Sequence, residues 1–197
     1  MNNNQEQQEA PQIPGYGLYG WIQALVCSVL TVVMVFTFGI RLVGVRGHSM
    51  VPTLQDGDRM LVISSVIDSD YTYGDVVVLN KPSFLNELIV KRVIAVENQT
   101  VDIDFDSGSV YVDGKLLKEP YINELTFRKD GVDFPLTVPE GCIFVMGDNR
   151  NHSSDSRNPS LGAVDTRYVV GKAKLVAFPG TDSETEKRDF GRIGGIE

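Results

Sequence analysis

An uncharged apolar run near the N-terminus constrains this 197-residue chain more than any other feature. No charged residue occurs in residues 10–40, whose second half reads WIQALVCSVLTVVMVFTFGI from Trp21 onward. A helix needs about 20 mainly apolar residues to cross a bilayer. A cleavable signal peptide would carry a basic segment before a shorter apolar stretch, but residues 1–20 contain no Lys or Arg. We therefore predict a retained transmembrane helix at residues 19–40, after a short polar tail at 1–18.

Charge around this run leaves the orientation open. Arg41 and Arg46 flank only its C-terminal side, which would place the following domain in the cytoplasm if the positive-inside rule acted alone. Two basic residues are a small charge difference across the helix, and long domains translocate largely regardless of charge. The sequence therefore does not decide the orientation.

Composition excludes several classes of function. The net charge of −8 provides no basic field for nucleic acid. Cys27 lies in the apolar run and Cys142 precedes an apolar strand pattern, so we expect no disulfide. Two cysteines are too few for a structural zinc site, and His48 and His152 do not have the spacing of metal ligands. We therefore expect no metal site.

After residue 40 the chain changes to short Val- and Ile-rich runs bounded by Gly, Asp, Asn or Pro, which is typical of strands. Asp113-Gly114 between two such runs predicts a tight hairpin. The fold class is mainly β, and the predicted divisions are an all-β domain at 41–180, a small inserted hairpin lobe at about 98–140, and a flexible charged tail at 181–197.

Ser49 stands in the segment Gly-His-Ser-Met-Val-Pro-Thr-Leu. A serine hydroxyl is a weak nucleophile and needs an adjacent base. His48 is adjacent in sequence, but neighbouring residues of an extended chain point to opposite faces. His152 has no sequence feature that would orient it. Taken alone, a loop serine is usually inert.

Lys91 is the better candidate for a base. Strand alternation places Lys91 between Ile89 and Val93 on one face and Arg92 on the other. Burial of that face would lower the lysine pKa and give a neutral amine. The alternative is an edge lysine that prevents sheet aggregation, and the strand pattern alone favours this alternative.

A polar segment at 147–157, GDNRNHSSDSR, follows an apolar strand pattern. It is either a polar loop with local turn bonds or a loop that holds hydroxyls against the lysine through Asp–Arg pairs.

Taken together and in this order, the Ser49 segment, Tyr73-Gly-Asp-Val-Val, Lys91-Arg92-Val93 and the 147–157 segment resemble the successive motifs of bacterial type I signal peptidases. The trailing Val170-Gly-Lys-Ala resembles the family's last strand, and the resemblance covers roughly residues 20–178. It implies a membrane-bound serine endopeptidase that removes signal peptides from exported preproteins after small residues, at A-x-A sites. It also implies a signal-peptidase-like β domain outside the plasma membrane and a cytoplasmic N-terminus.

The resemblance assigns the catalytic roles. Ser49 corresponds to the nucleophile, Lys91 to the general base, and Ser153 to the serine that orients the lysine amine. Some family members carry a hydroxyl two residues before the nucleophile as an oxyanion donor, but Gly47 stands here. Removal of one such donor costs other hydrolases about 2.7–4 kcal/mol, so we expect a replacement.

The remaining assignments are structural. The resemblance implies that Asp155 pairs with Arg157 and that Asp148 pairs with Arg92. Three residues correspond to the lining of shallow pockets for small side chains: Met50, Leu54 and Val90. No metal or organic cofactor is expected, and the expected partners are the bilayer and preproteins bound as extended strands.

The sequence also allows two other hypotheses about the function of the protein. A cytoplasmic Ser-Lys self-cleaving repressor would have a DNA-binding helical region where this chain has its apolar run. An inactive membrane-tethered β module would bind exported peptides without cleaving them, which incubation with a preprotein distinguishes.

Overall fold

The computed structural model describes residues 16–181 and 187–196. Most of the predicted N-terminal tail, residues 1–15, and part of the predicted C-terminal tail lie outside the described residues. The chain divides into two compact units, with the boundary between Thr37 and Phe38.

The first unit contains helix α1 (Tyr16–Met34), and a π-helical turn (Val35–Gly39) continues the helix across the boundary at Thr37. Among the described residues, one helical stretch, Gly17–Gly39, is long and apolar enough to cross a bilayer. Its large apolar side chains are exposed. The Ser28 and Thr31 hydroxyls each donate to the carbonyl oxygen four residues earlier, at 2.8 Å. An apolar surface with internal hydrogen bonds suits lipid.

The described part of the second unit contains twelve strands: β1 (Ile40–Gly44), β2 (Arg59–Ser64), β3 (Val76–Leu79), β4 (Ile89–Val96), β5 (Thr100–Asp104), β6 (Ser109–Val112), β7 (Lys115–Leu116), β8 (Leu136–Thr137), β9 (Cys142–Met146), β10 (Val164–Asp165), β11 (Val169–Phe178) and β12 (Gly194–Gly195). The main sheet runs in the order β1-β2-β11-β3-β4-β9-β10, with β12 added on β11. All of its pairs are antiparallel. The prediction of a mainly β fold behind an apolar helix is confirmed.

The centre of the main sheet is covered on both faces. Along β3, Val76 and Val78 pack in one apolar cluster, while Val77 and Leu79 pack in another. A strand buried on both faces reads as a continuous apolar run, and this is the pattern of β3. The neighbouring strand β4 is also buried over most of its length, so Lys91 lies in the interior and not at an exposed edge.

A second sheet, in the order β7-β6-β5-β8, falls within the region where the hairpin lobe is predicted. The predicted hairpin is confirmed: Val112 pairs with Lys115 across Asp113 and Gly114, both with positive φ. The apolar side chains of this sheet share one cluster with Phe144 and Met146 of β9. The small sheet therefore packs on the main sheet and shares its core.

The C-terminal residues differ from the predicted flexible tail where the structure describes them. β12 pairs with β11, and Ile196 N donates to Lys174 O at 3.0 Å. Arg192 forms an ion pair at 2.7 Å with Asp58, which is fully buried. The physical reason is that a buried carboxylate requires a counter-charge, which this segment supplies.

Candidate active site

Ser49 lies in the loop between β1 and β2. Met50 and Leu54 are fully buried and anchor this loop, and Leu54 N donates to Met50 O at 2.9 Å. Gly47 has φ +84°, a conformation that a residue with a side chain adopts only with strain. A hydroxyl-bearing residue at this position would therefore need a different backbone path. Ser49 itself is half-buried at the surface of the site.

Lys91 reaches the nucleophile candidate from β4. Its Nζ lies 2.7 Å from Ser49 Oγ and 3.0 Å from the carbonyl oxygen of Val90. The side chain is only 3% exposed. Burial lowers the Lys91 pKa to about 8, although the negative charges of Asp155 and Asp148 act in the opposite direction. A substantial fraction of the amine is therefore neutral near pH 8 and can accept a proton.

Neither histidine takes this position. His48 and His152 are both exposed. Among the described residues, no hydrogen bond joins either side chain to Ser49.

The predicted acid–base pairs of the 147–157 loop are both present in the structure. Asp148 accepts from Arg92 Nε at 2.9 Å and from Arg92 Nη2 at 2.8 Å. Asp155 accepts two bonds of 2.8 Å from Arg157. Burial would raise the pKa of Asp155, but the Arg157 guanidinium outweighs that effect and lowers it. The two neighbouring cations of β4 thus have different partners, as the alternation argument predicts.

Ser153 is buried beside these groups, but its hydroxyl has no hydrogen-bond partner among the described residues. The expected contact with Lys91 is therefore not made in this structure, and its orienting role stays a prediction. A Cβ at Gly147 would overlap the Ser153 hydroxyl and the Ser49 carbonyl oxygen. Glycine at position 147 is what lets the two loops approach.

The predicted pocket residues belong to one apolar cluster. Met50 and Leu54 of the Ser49 loop pack with Val90 of β4 and with residues of β2, β3 and β11. All three are buried, so each offers only a small contact surface to a ligand.

Sequence reasoning missed a third buried ion pair. Arg150 of the 147–157 loop donates to both carboxylate oxygens of Glu119, at 2.6 and 2.9 Å. It also donates to the carbonyl oxygen of Gly147 at 3.1 Å. A signal was available: Arg92, Arg150 and Arg157 are three arginines for only two nearby acids, so a third carboxylate was required.

Other missed residues tie the loops together. Asn149 donates from its backbone to Ser49 O and from its side chain to His48 O. Thr53 donates to Asp148 at 2.5 Å, and the Arg92 guanidinium stacks on the ring of Tyr121 at 4.0 Å. The Asn149 and Thr53 contacts join residues about 100 positions apart, and no local sequence pattern predicts any of these contacts.

Nothing in the site resembles a metal centre. Within residues 16–181 and 187–196, no group of three or more His, Cys, Asp or Glu is placed to hold an ion.

Comparison with known proteins identifies the family. The family described as signal peptidase, peptidase S26, matches residues 18–178. Signal peptidase I of Bacillus licheniformis is 37% identical over 170 residues, covering 82% of this chain and 89% of that protein. Signal peptidase I T of Bacillus subtilis (strain 168) is 39% identical over 167 residues, covering 81% and 84%.

A crystal structure of a signal peptidase I from Enterococcus faecalis V583 is 31% identical, with a TM-score of 0.43, and covers 52% of this chain and 96% of that one. The family match covers most of the chain, and the two relatives are 37% and 39% identical to it over about four fifths of its length. This protein therefore belongs to the signal peptidase family of serine peptidases, peptidase family S26.

Proposed function

We propose that this membrane-anchored serine endopeptidase removes signal peptides with Ser49 as nucleophile and Lys91 as general base. One observation carries the proposal: a buried lysine amine with a lowered pKa lies 2.7 Å from a half-exposed serine hydroxyl. An activated nucleophile needs a base within hydrogen-bond reach, and this pair meets that condition.

The chemistry follows from the pair. Neutral Lys91 takes the hydroxyl proton of Ser49 as the oxygen attacks the scissile carbonyl carbon. The tetrahedral intermediate collapses, and the Lys91 ammonium returns its proton to the leaving amine. An acyl-enzyme remains on Ser49. Lys91 then takes a proton from water, which attacks the ester and releases the second product, and the proton returns to Ser49 Oγ.

The backbone N–H of Ser49 is the proposed oxyanion donor. Among the described residues it has no hydrogen-bond partner, so it is available to a negatively charged oxygen. Gly47 contributes no hydroxyl, so a second donor would come from another backbone amide or from water.

The substrate would bind as an extended strand on the free side of β4. Ile89 and Val90 pair with β3 on one side, while pairing with β9 begins only at Arg92. The side of Ile89 and Val90 that faces away from β3 is thus not paired with β9, and a substrate strand added there would place a peptide bond near Ser49. Shallow apolar surfaces at this position suit small side chains, which is the basis for proposing A-x-A sites.

We also propose that the N-terminus is cytoplasmic and the catalytic domain extracytoplasmic. Signal peptides become accessible on the outer face after export begins, and a cleaving domain must be on that side. The positive-inside rule applied to Arg41 and Arg46 favours the opposite orientation, but long domains are translocated across the membrane largely regardless of two such charges.

The test is cleavage of a preprotein with an A-x-A site by full-length variants in detergent. We expect Ser49→Ala and Lys91→Ala to lose at least about a thousandfold in kcat, because the two groups act as one unit. Ser160→Ala and Lys115→Ala, both at exposed positions, are matched controls and should cleave at the wild-type rate. Retention of wild-type turnover in either dyad variant would remove that residue from the mechanism.

A further inference from the structure

The loop that carries Ser49 is closed by a buried carboxylate at its far end. Val45 N donates to the Asp58 carbonyl oxygen at 2.7 Å, which joins the two ends of the loop. The Asp58 carboxylate is fully buried and accepts from Gln55 N at 2.8 Å and from Gly180 N at 2.7 Å. Asp58 therefore fixes the base of the loop to the chain that follows β11.

Arg192 completes the coordination of this carboxylate. Its Nη2 lies 2.7 Å from one oxygen of Asp58 and its Nη1 lies 3.0 Å from the other. The same guanidinium donates to Gln55 Oε1 at 3.0 Å and to the carbonyl oxygen of Thr53 at 3.4 Å. A single side chain from the C-terminus thus binds three residues of the Ser49 loop.

The rest of the C-terminal segment holds Arg192 in place. β12 extends the main sheet beside β11. Ile196 packs on the apolar cluster that contains Met50 and Leu54 of the Ser49 loop. This segment lies beyond residues 18–178, the part of the chain that the family description matches.

We propose that Arg192 is a positioning residue, which holds the Ser49 loop in register with Lys91 through its bidentate pair with Asp58. The inference rests on the proposed role of Ser49. Its physical basis is the short reach of general-base catalysis, since a displacement of about 1 Å from a distant change can cost on the order of a hundredfold in rate. Thr53 extends the same chain of contacts to Asp148 and so to Arg92, beside Lys91.

The experiment compares full-length Arg192→Gln, Arg192→Lys and Arg188→Gln in preprotein cleavage, well below the thermal midpoint of each variant. Arg188 is the matched control, because it is an exposed arginine of the same segment that contacts Pro179 O and does not touch the loop. We expect Arg192→Gln to lower kcat about tenfold or more with KM changed less than about twofold. Arg192→Lys should lose less, because it keeps the charge but not the two-point contact. Arg188→Gln should match the wild type.

A double variant tests whether Arg192 acts through Asp58. We expect Asp58→Asn with Arg192→Gln to have the kcat of Asp58→Asn alone, because both changes break the Asp58–Arg192 pair through which Arg192 is proposed to act. Additive losses would overturn the proposal, as would a wild-type kcat in Arg192→Gln accompanied only by a lower thermal midpoint. Cleavage by Ser49→Ala would instead overturn the proposed nucleophile, which separates that failure from this one.

Discussion

At the residue scale, the charges of the site are matched in pairs. Arg92, Arg150 and Arg157 are buried, and each has a carboxylate partner within 2.8 Å. Lys91 is the buried cation of this group without a carboxylate of its own, and its hydrogen bonds go to a hydroxyl and a carbonyl oxygen. Burial therefore dominates its titration, which is what a lysine base requires.

The pH dependence of cleavage is the first prediction at this scale. Because burial lowers the Lys91 pKa to about 8, the neutral base is scarce below that pH and abundant above it. We expect kcat/KM to rise about tenfold per pH unit up to about pH 7.5 and to level off above pH 8.5. Initial rates on a preprotein between pH 6 and 9.5 measure this profile. A profile without an ionisation in that range would contradict the assignment of Lys91.

The second prediction at this scale concerns the pH dependence of the free energy of unfolding. Between the folded pKa of about 8 and the ordinary value of 10.5, the folded state binds fewer protons than the unfolded chain, so its stability rises with pH in this window. Below pH 8 the cost of the buried ammonium is complete, on the order of 3 kcal/mol. Lys91→Met should therefore raise the thermal midpoint at pH 7 and raise it much less at pH 10.5. Equal shifts at the two pH values would argue against a protonated buried lysine.

The sequence predicts part of this residue-scale picture. Alternation along β4 separates Lys91 from Arg92, and the structure gives them different partners. Alternation does not predict burial, because burial of Lys91 depends on β3 and on the 147–157 loop, which is more than 50 residues away. The edge-lysine alternative was therefore open until the neighbouring strands were known.

At the scale of elements, the segment between β7 and β8 connects the small sheet with the 147–157 loop. Asn123 N donates to Asp148 O at 3.1 Å, and the amides of Phe127 and Arg128 donate to Asn151 Oδ1 at 3.0 and 2.9 Å. The bidentate Glu119–Arg150 pair anchors the start of this segment. The small sheet is thus connected to the site by backbone bonds and a buried charge pair.

Loss of the Glu119 charge gives the third prediction. Glu119→Gln leaves the fully buried Arg150 without a counter-charge, so we expect the free energy of unfolding to fall by about 3 kcal/mol. Denaturant titration of the full-length protein in detergent measures it. Asp133→Asn is the control, because the Lys129–Asp133 pair lies at the surface with 4.0 Å between its charges and should leave stability unchanged. Equal effects of the two substitutions would contradict an anchoring role for the buried pair.

Some elements of this fold could be predicted from the sequence and others could not. The hairpin at Asp113 was predictable because its turn chemistry is local. The C-terminal strand was not, since two glycines and a charged segment carry no strand signal. Arg192, just before this strand, pairs with the buried Asp58 more than 130 residues earlier, and no local pattern predicts such a distant contact.

At the scale of the whole molecule, the chain combines an apolar helix with a β domain that carries a net negative charge. The helix bonds its own backbone and the Ser28 and Thr31 hydroxyls internally and exposes apolar side chains, which suits a lipid environment. Membrane attachment makes orientation a functional property, because a signal peptidase and its substrate must meet on one face of the bilayer.

Cysteine labelling of intact cells tests the proposed orientation. We expect Glu140→Cys, at an exposed position between β8 and β9, to react with a membrane-impermeant maleimide before permeabilisation. Asn3→Cys should react only after it. The native thiols give little background, because Cys27 lies within the helix and burial raises the pKa of the Cys142 thiol, which leaves less of the reactive thiolate. The opposite labelling pattern would place the domain in the cytoplasm, as Arg41 and Arg46 alone suggest, where exported preproteins could not reach Ser49 after crossing the membrane.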